Sequence, residues 1–291
     1  MKQLDQILRF LIDNSPIRGQ LIRLDSSWQQ CRSQLDAEEF AQNLLGQALS
    51  AVSLLASTLK IDGKITLQIR GQGAIHLLVA QATSEKTMRG LVRQNSSVRD
   101  ESASLADIFL ADKMVITIDS GKGKPHQGIV PLVGNSIQQA LDAYFEHSEQ
   151  LPTRLWLASS EQASAGLLLQ KMPGETLDED VWNRVLHLAS TLTEIELLTL
   201  PFEEILFRLF HEESLHLYNP DSVRFACTCS RQRTADVIKS LGHSEALAIL
   251  TEQGSIKINC EFCNAEYVFD SIDIEQLFNP DVDPDSSDML H

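Results

Sequence analysis

Leu8, Phe10 and Ile12 alternate as a strand would, while Leu4, Ile7, Leu8 and Leu11 fit one face of a helix, so residues 4–12 stay open between the two periods. Elsewhere the pattern is firmer. Gly19–Leu24 reads as a strand. Residues 37–59 carry Leu44, Leu45, Ala48, Leu49, Val52 and Leu55 at helical spacing and predict a long helix. Ile61–Ile69 and Ile75–Val79, separated by Gly71-Gln72-Gly73, have the form of a hairpin. Further strands are expected near 88–93, 114–118, 127–131, 154–158 and 166–170, with a helix around 136–145. The glycine pair is no dinucleotide fingerprint, because the third glycine is missing and a strand follows instead of a helix.

Pro173-Gly174 marks a boundary. Beyond it Thr176/Glu179 and Thr193/Glu196 form capping-box patterns, and Pro201 opens another helix. Val181, Trp182, Val185, Leu188, Ala189 and Leu192 line one apolar face of the first of these helices, opposite an acidic one. In the resting state these helices are expected to pack on the body. If a neighbouring segment unfolded they would lose that neighbour and expose their apolar faces. The expected fold class is α+β: an N-terminal mixed sheet-and-helix body with an antiparallel-leaning sheet (1–174), a helical linker (175–225), a small C-terminal four-cysteine zinc domain (226–269), and an acidic, disordered tail (270–291).

Charge follows the same partition. Residues 1–174 hold 17 basic and 17 acidic side chains, 175–225 hold 3 and 11, 226–269 hold 4 and 5, and 270–291 hold none and 7, within a net charge of −16. A zinc module that grips phosphates should be basic, so a nucleic-acid-binding role is disfavoured. Met1–Asp5 carries no long apolar run of a signal peptide, and no run of about 18 apolar residues suggests a membrane span. A cytoplasmic protein with thiols kept reduced is expected.

The chemistry lies near the end. Cys227-Thr228-Cys229 is followed, after 30 intervening residues, by Cys260-Glu261-Phe262-Cys263. Two thiolate pairs at this spacing suit a closed tetrahedral zinc site with no open position for a hydrolytic water. The second pair has the usual knuckle spacing. The single residue between Cys227 and Cys229 is unusual, and brings those sulfurs close enough to oxidise locally. Residues 226–269 are too few for a large core, whereas structural zinc supplies about 10–16 kcal/mol that is also folding free energy. The residues alone leave open a permanent structural zinc knuckle, free or disulfide-bonded cysteines, and a zinc-based redox switch. A thiol–disulfide oxidoreductase is the enzymatic alternative, although it would need a Cys-x-x-Cys at a helix N-terminus, and strand-like Ile256-Lys257-Ile258 precedes this one. Arg231 and Arg233 either offset the site's charge or stand solvated. His243 reads as a surface residue and Cys31 as a half-buried helix position.

Taken with Leu59–Gly63, Met88-Arg89-Gly90, Glu149–Arg154 and Leu197–Pro201, the four cysteines make the chain resemble the redox-regulated bacterial holdase chaperones, the 33-kilodalton heat-shock protein family, over nearly its whole length. The resemblance implies a stress-response chaperone, not an enzyme. Cys227, Cys229, Cys260 and Cys263 would hold one zinc when reduced. They would form Cys227–Cys229 and Cys260–Cys263 disulfides when oxidised, with metal release and unfolding of the C-terminal part. The linker would then destabilise, the protein would dimerise, and unfolding client proteins would be held without ATP. One departure from the family pattern is Asn264, where glycine is common after the last cysteine. Asn tolerates a left-handed turn, so ligation is not put in doubt.

Overall fold

The computed structural model describes residues 5–58, 62–148, 151–172 and 179–279. The chain divides into two compact units, Met1–Ala226 and Cys227–His291.

The first unit begins with β1 (Gln6–Ile12) and β2 (Ile17–Leu24), paired antiparallel. The open choice at residues 4–12 resolves as a strand because its alternation has two cores to serve. Ile7 enters one, and Leu8, Phe10 and Ile12 enter the other. Gly19 lies beneath Phe10, and a Cβ there would come within 2.0 Å of the ring. Next come α1 (Ser26–Arg32), α2 (Glu39–Thr58), β3 (Lys64–Arg70), β4 (Ile75–Thr83), β5 (Thr87–Gln94), α3 (Leu105–Phe109), β6 (Lys113–Asp119), β7 (His126–Pro131), α4 (Ile137–Ser148), β8 (Thr153–Ser159) and β9 (Ser164–Lys171).

The predicted strands all form, but in two sheets instead of one. One sheet carries β1-β2-β9-β8 and the other β5-β4-β3-β6-β7, all antiparallel. Helix α2 packs against strands of both. It is therefore buried nearly all round, not along one face: Ser50, Ala51, Ser53 and Leu54 are inside along with the predicted apolar stripe. Small residues make this possible. A Cβ on Gly46 would meet Ser159 Oγ at 2.1 Å, and Ser50 and Ser164 share a buried 2.7 Å hydrogen bond. Gly71, at the β3–β4 turn, closes on the Phe109 carbonyl, where a Cβ would lie 1.8 Å away.

The outer face of the first sheet is covered by α5 (Glu179–Ala189), α6 (Glu194–Thr199) and α7 (Phe202–Phe210). Thr193 and Glu196 form the predicted capping box, and Pro201 precedes α7. Thr176 lies outside the described residues. Val185, Ala189, Leu192, Leu197, Phe202, Ile205, Leu206, Leu209 and Phe210 pack with Leu8, Phe10, Ile12, Ile17 and Leu21, with Val181, Trp182 and Leu188 partly buried at the margin. This face alone removes several large side chains from water, at roughly 1.5–3 kcal/mol for each fully buried one.

The segment from 175 to 225 is not helical throughout. After α7 it turns extended: β10 (Leu215–Leu217) and β11 (Asp221–Ser222) pair with β1, and β12 (Arg224–Phe225) pairs parallel with β5. These short strands satisfy backbone groups that two sheet edges would otherwise leave open. Asp221 Oδ2 sits 3.2 Å from Arg9 of β1 and 3.1 Å from Lys86 beside β5, so one carboxylate ties both edges.

The second unit contains α8 (Arg231–Leu241), α9 (His243–Gln253), the antiparallel hairpin β13 (Ile256–Asn259) and β14 (Glu266–Phe269), and α10 (Ser271–Phe278). Seven buried apolar residues form its core: Ala235, Ile238, Ala246, Leu250, Ile256, Phe269 and Ile274. Helix α10 corrects the expectation of disorder from residue 270. Asp270 and Asp273 make a capping box, and Ile274 is fully buried, so apolar Ile274, Leu277 and Phe278 outweigh the acidic composition. Residues 280–291 lie outside the described residues.

Candidate metal centre

Two turns build the site. Ser230 caps α8 through its side chain, which accepts from the Arg233 amide, and this fixes the segment carrying Cys227 and Cys229 just before the helix N-terminus. Cys260 and Cys263 occupy the turn of the β13–β14 hairpin. There the Cys260 amide donates to the Ala265 carbonyl (2.9 Å) and the Asn264 amide to the Cys260 carbonyl (2.8 Å). Asn264 has φ of 52°, the left-handed conformation the turn requires.

The four sulfurs all lie within 4.8 Å of one another. Cys227 and Cys260 are 3.6 Å apart, and Cys229 and Cys263 are 3.4 Å apart. A tetrahedral zinc with bonds of about 2.3 Å would separate its sulfurs by about 3.8 Å, so the donor set fits such an ion. Among the described residues this is the sole cluster of three or more potential metal-ligating side chains. At Cys227 burial raises the thiol, but hydrogen bonds from the Cys229 amide and the neighbouring thiols outweigh it and bring the group down to about 7. Burial raises Cys260, and pushes Cys263 up to about 12 with the adjacent sulfurs adding to the effect. Four sulfurs this close resist ionising together unless a cation neutralises them.

The flanking residues take up roles of their own. Arg231 donates to the Val268 carbonyl (2.8 Å), pairs with Asp273 (2.7 Å), and lies 4.4 Å over the Phe269 ring, so it fastens α10 and the hairpin to α8. Arg233 donates to the Thr228 carbonyl, which steadies the first cysteine turn. His243 is exposed, with its ring 4.9 Å from that of Phe278. Tyr267 was not foreseen. Its hydroxyl donates to Cys229 Sγ at 3.1 Å, and that bond raises its own pKa to about 12. The signal was its place two residues before Phe269 on β14, a strand the apolar pattern did not reveal. Cys31 stands apart: it is fully buried, not half-buried, its thiol donates to the Gly90 carbonyl at 3.5 Å, and burial pushes it up to about 12. Val181, Trp182, Val185, Leu188 and Leu192 all lie in the first unit, on the outer face of its first sheet.

The fold of this chain is one already known. The crystal structure of the 33 kDa chaperonin (HSP33) from Thermotoga maritima matches with a TM-score of 0.80, over 94% of this chain and 97% of that one, at 24% identity. Residues 5–270 match the family described as HSP33, Hsp33 protein. The 33 kDa chaperonin of Nitrosococcus oceani is 43% identical over 97% of each chain. That of Hahella chejuensis is 45% identical over 94% of this chain and 97% of its own. The chain belongs to the Hsp33 family of chaperones. It is not an enzyme, which removes the oxidoreductase alternative. Among the described residues no helix is long and apolar enough to cross a membrane.

Proposed function

We propose that this chain is a redox-regulated, ATP-independent holdase that acts in the cytoplasm on unfolding client proteins. The observation that carries the reading is a four-thiol centre in a unit with a small core, seven buried apolar side chains among the described residues. Cys227, Cys229, Cys260 and Cys263 hold one zinc, which supplies a cation that stabilises four thiolates and ties the two turns together. Oxidation takes two electrons from each cysteine pair, makes Cys227–Cys229 and Cys260–Cys263, and reduces a peroxide to water for each bond formed. The donors are then gone. Bridges within each pair close very small loops and no longer join residue 229 to residue 260.

The division into a body (1–174), a linker (175–225), a zinc domain (226–269) and a tail (270–291) is a functional one in this reading. Loss of the zinc domain's fold destabilises the linker, and its release frees the outer face of the first sheet, where Leu8, Phe10, Ile12, Ile17 and Leu21 lie beneath α5–α7. That face binds clients and supports a homodimer in the oxidised state. The acidic balance of −16 supports a role away from nucleic acid.

The test compares the reduced and peroxide-treated protein for zinc content, disulfide map and suppression of client aggregation. Zinc release, within-pair bridges and a gain in suppression are expected together. Dominant cross-pair bridges such as Cys229–Cys260, or suppression that oxidation leaves unchanged, would overturn the reading.

A further inference from the structure

The first unit contains a cleft of about 190 Å³ that the chaperone reading does not use. It opens where strands of both sheets meet the ends of α2 and α4. Ile65, Ile116, Ile118 and Phe145 form apolar walls, and Arg18, His126 and Tyr144 are its cationic or titratable members. An apolar cavity of about 150 Å³ is already enough to take up a small hydrocarbon.

Arg18 gives the cleft its character. It is half-buried, and burial lowers its pKa from the usual arginine value. No ion pair to a carboxylate holds it among the described residues. Its Nε donates to Gln170 Oε1 at 3.0 Å, and a second guanidinium N–H donates to the same oxygen. Gln170 is itself fixed: it is buried, and its amide donates to Thr153 Oγ1 at 2.7 Å. Thr153 in turn donates to the Leu151 carbonyl at 3.0 Å. A chain of neutral groups therefore aims the guanidinium without neutralising it. Among the described residues this is a partly desolvated, positioned cation without a carboxylate partner, and such a group is costly to keep. A guanidinium matches a carboxylate through two parallel hydrogen bonds.

We infer that this cleft is a binding site for an aliphatic monocarboxylate, a medium-chain fatty acid, with its carboxylate on Arg18 and its chain along Ile65, Ile116, Ile118 and Phe145. The site lies wholly within the first unit and does not rest on the redox reading. Occupancy would couple the two sheets through one ligand, since Arg18 belongs to β2 and the isoleucines to β3 and β6.

The test is calorimetric titration of the full, reduced, zinc-loaded chain with hexanoate, octanoate and decanoate, each below the concentration at which it aggregates. One-to-one binding is expected, tightening about threefold to fourfold for each added methylene until the cleft is filled. Decanol, which lacks the charge, should bind at least about tenfold more weakly, and Arg18→Gln should cost decanoate at least about tenfold. Ile118→Trp, at a half-buried position, should fill the cleft and abolish binding. Circular dichroism and zinc content should be unchanged in both variants. Equal affinity for decanoate and decanol, or unaltered binding by Arg18→Gln, would overturn the inference. So would the absence of saturable binding by any of the three acids. A short peptide with a free C-terminal carboxylate serves as the second source of the same chemistry. Binding of that peptide without binding of decanoate would give the cleft to protein chain ends and overturn the fatty-acid assignment.

Discussion

The two units are stabilised by different means. Met1–Ala226 wraps two sheets around α2 and closes a second core under α5–α7, so its cohesion is spread over many buried side chains. Among the described residues of Cys227–His291, seven buried apolar side chains support three helices and a hairpin, and four sulfurs converge where its two turns meet. Small units bury a smaller fraction of their surface than large ones and gain more from a metal or disulfides. The difference teaches where a chemical signal can act. In the proposed reading, altering four sulfurs removes the metal that ties the second unit together, whereas the first unit's cohesion is spread over its buried side chains.

The largest expected effect tests that difference. Cys227→Ser should lose most zinc affinity, out of a metal contribution of about 10–16 kcal/mol. The C-terminal unit should become protease-sensitive while the first unit stays resistant. Cys31→Ser should leave zinc content unchanged. Metal analysis with limited proteolysis reads both, and normal zinc affinity in Cys227→Ser would erase the contrast between the units.

A matched pair of core truncations sharpens it. Ile274→Ala should cost about 2–5 kcal/mol and register as weaker zinc binding, because folding and metal binding are one equilibrium in the small unit. Leu45→Ala, of similar cost, should lower the melting temperature of the body and leave zinc affinity alone. Unchanged zinc affinity in Ile274→Ala would show that α10 is not part of the metal unit.

Changing Val181 and Val185 together to serine should loosen α5 by roughly 1–3 kcal/mol for fully buried Val185 and by less for partly buried Val181. The reduced, zinc-bound double variant should suppress aggregation of a heat-unfolded client in light scattering. A demonstrably detached linker without suppression would show that release of the helices is not the activating step.

The smallest effect concerns pH. Burial raises the Asp142 carboxyl to about 6, against the Leu155 amide and Arg154, which lower it, and with Glu146 adding to the rise. Its folded value exceeds its ordinary value of 3.8. The folded body therefore holds this proton more tightly, and the group's contribution to stability falls as pH rises from about 4 through about 6. Asp142→Asn keeps an acceptor for the Leu155 amide and should flatten this part of the profile in denaturant melts of the first unit. An identical pH profile in the variant would assign the dependence elsewhere.

The metal centre was legible in the sequence because its donors come as two adjacent pairs, and the chemistry of thiols at that spacing is narrow. Most strands of the body were legible as short apolar segments bounded by turn residues, but β1 stayed open between the two periods until its two cores were seen. What failed to show was collective. Nothing in the stripe of α2 tells that Ser50, Ala51 and Ser53 also face a sheet, because a second sheet is a property of the whole fold. Strands β10, β11 and β12 have two or three residues each, too short for any period, and exist only because β1 and β5 offer open edges. Helix α10 was hidden by its acidic neighbours. Arg18 reads as an ordinary strand arginine until Gln170, 152 residues away, is seen beside it.

The burial of Cys31 has a further consequence. Burial pushes this thiol up to about 12 and so disfavours the thiolate, the form that attacks peroxides or disulfides. This fifth sulfur is also closed to solvent within the core around α1 and α2. An oxidant reaching the protein therefore meets four partly exposed cysteines, while the fifth is sealed in the core. The fold keeps its fifth cysteine apart from the other four by enclosing it.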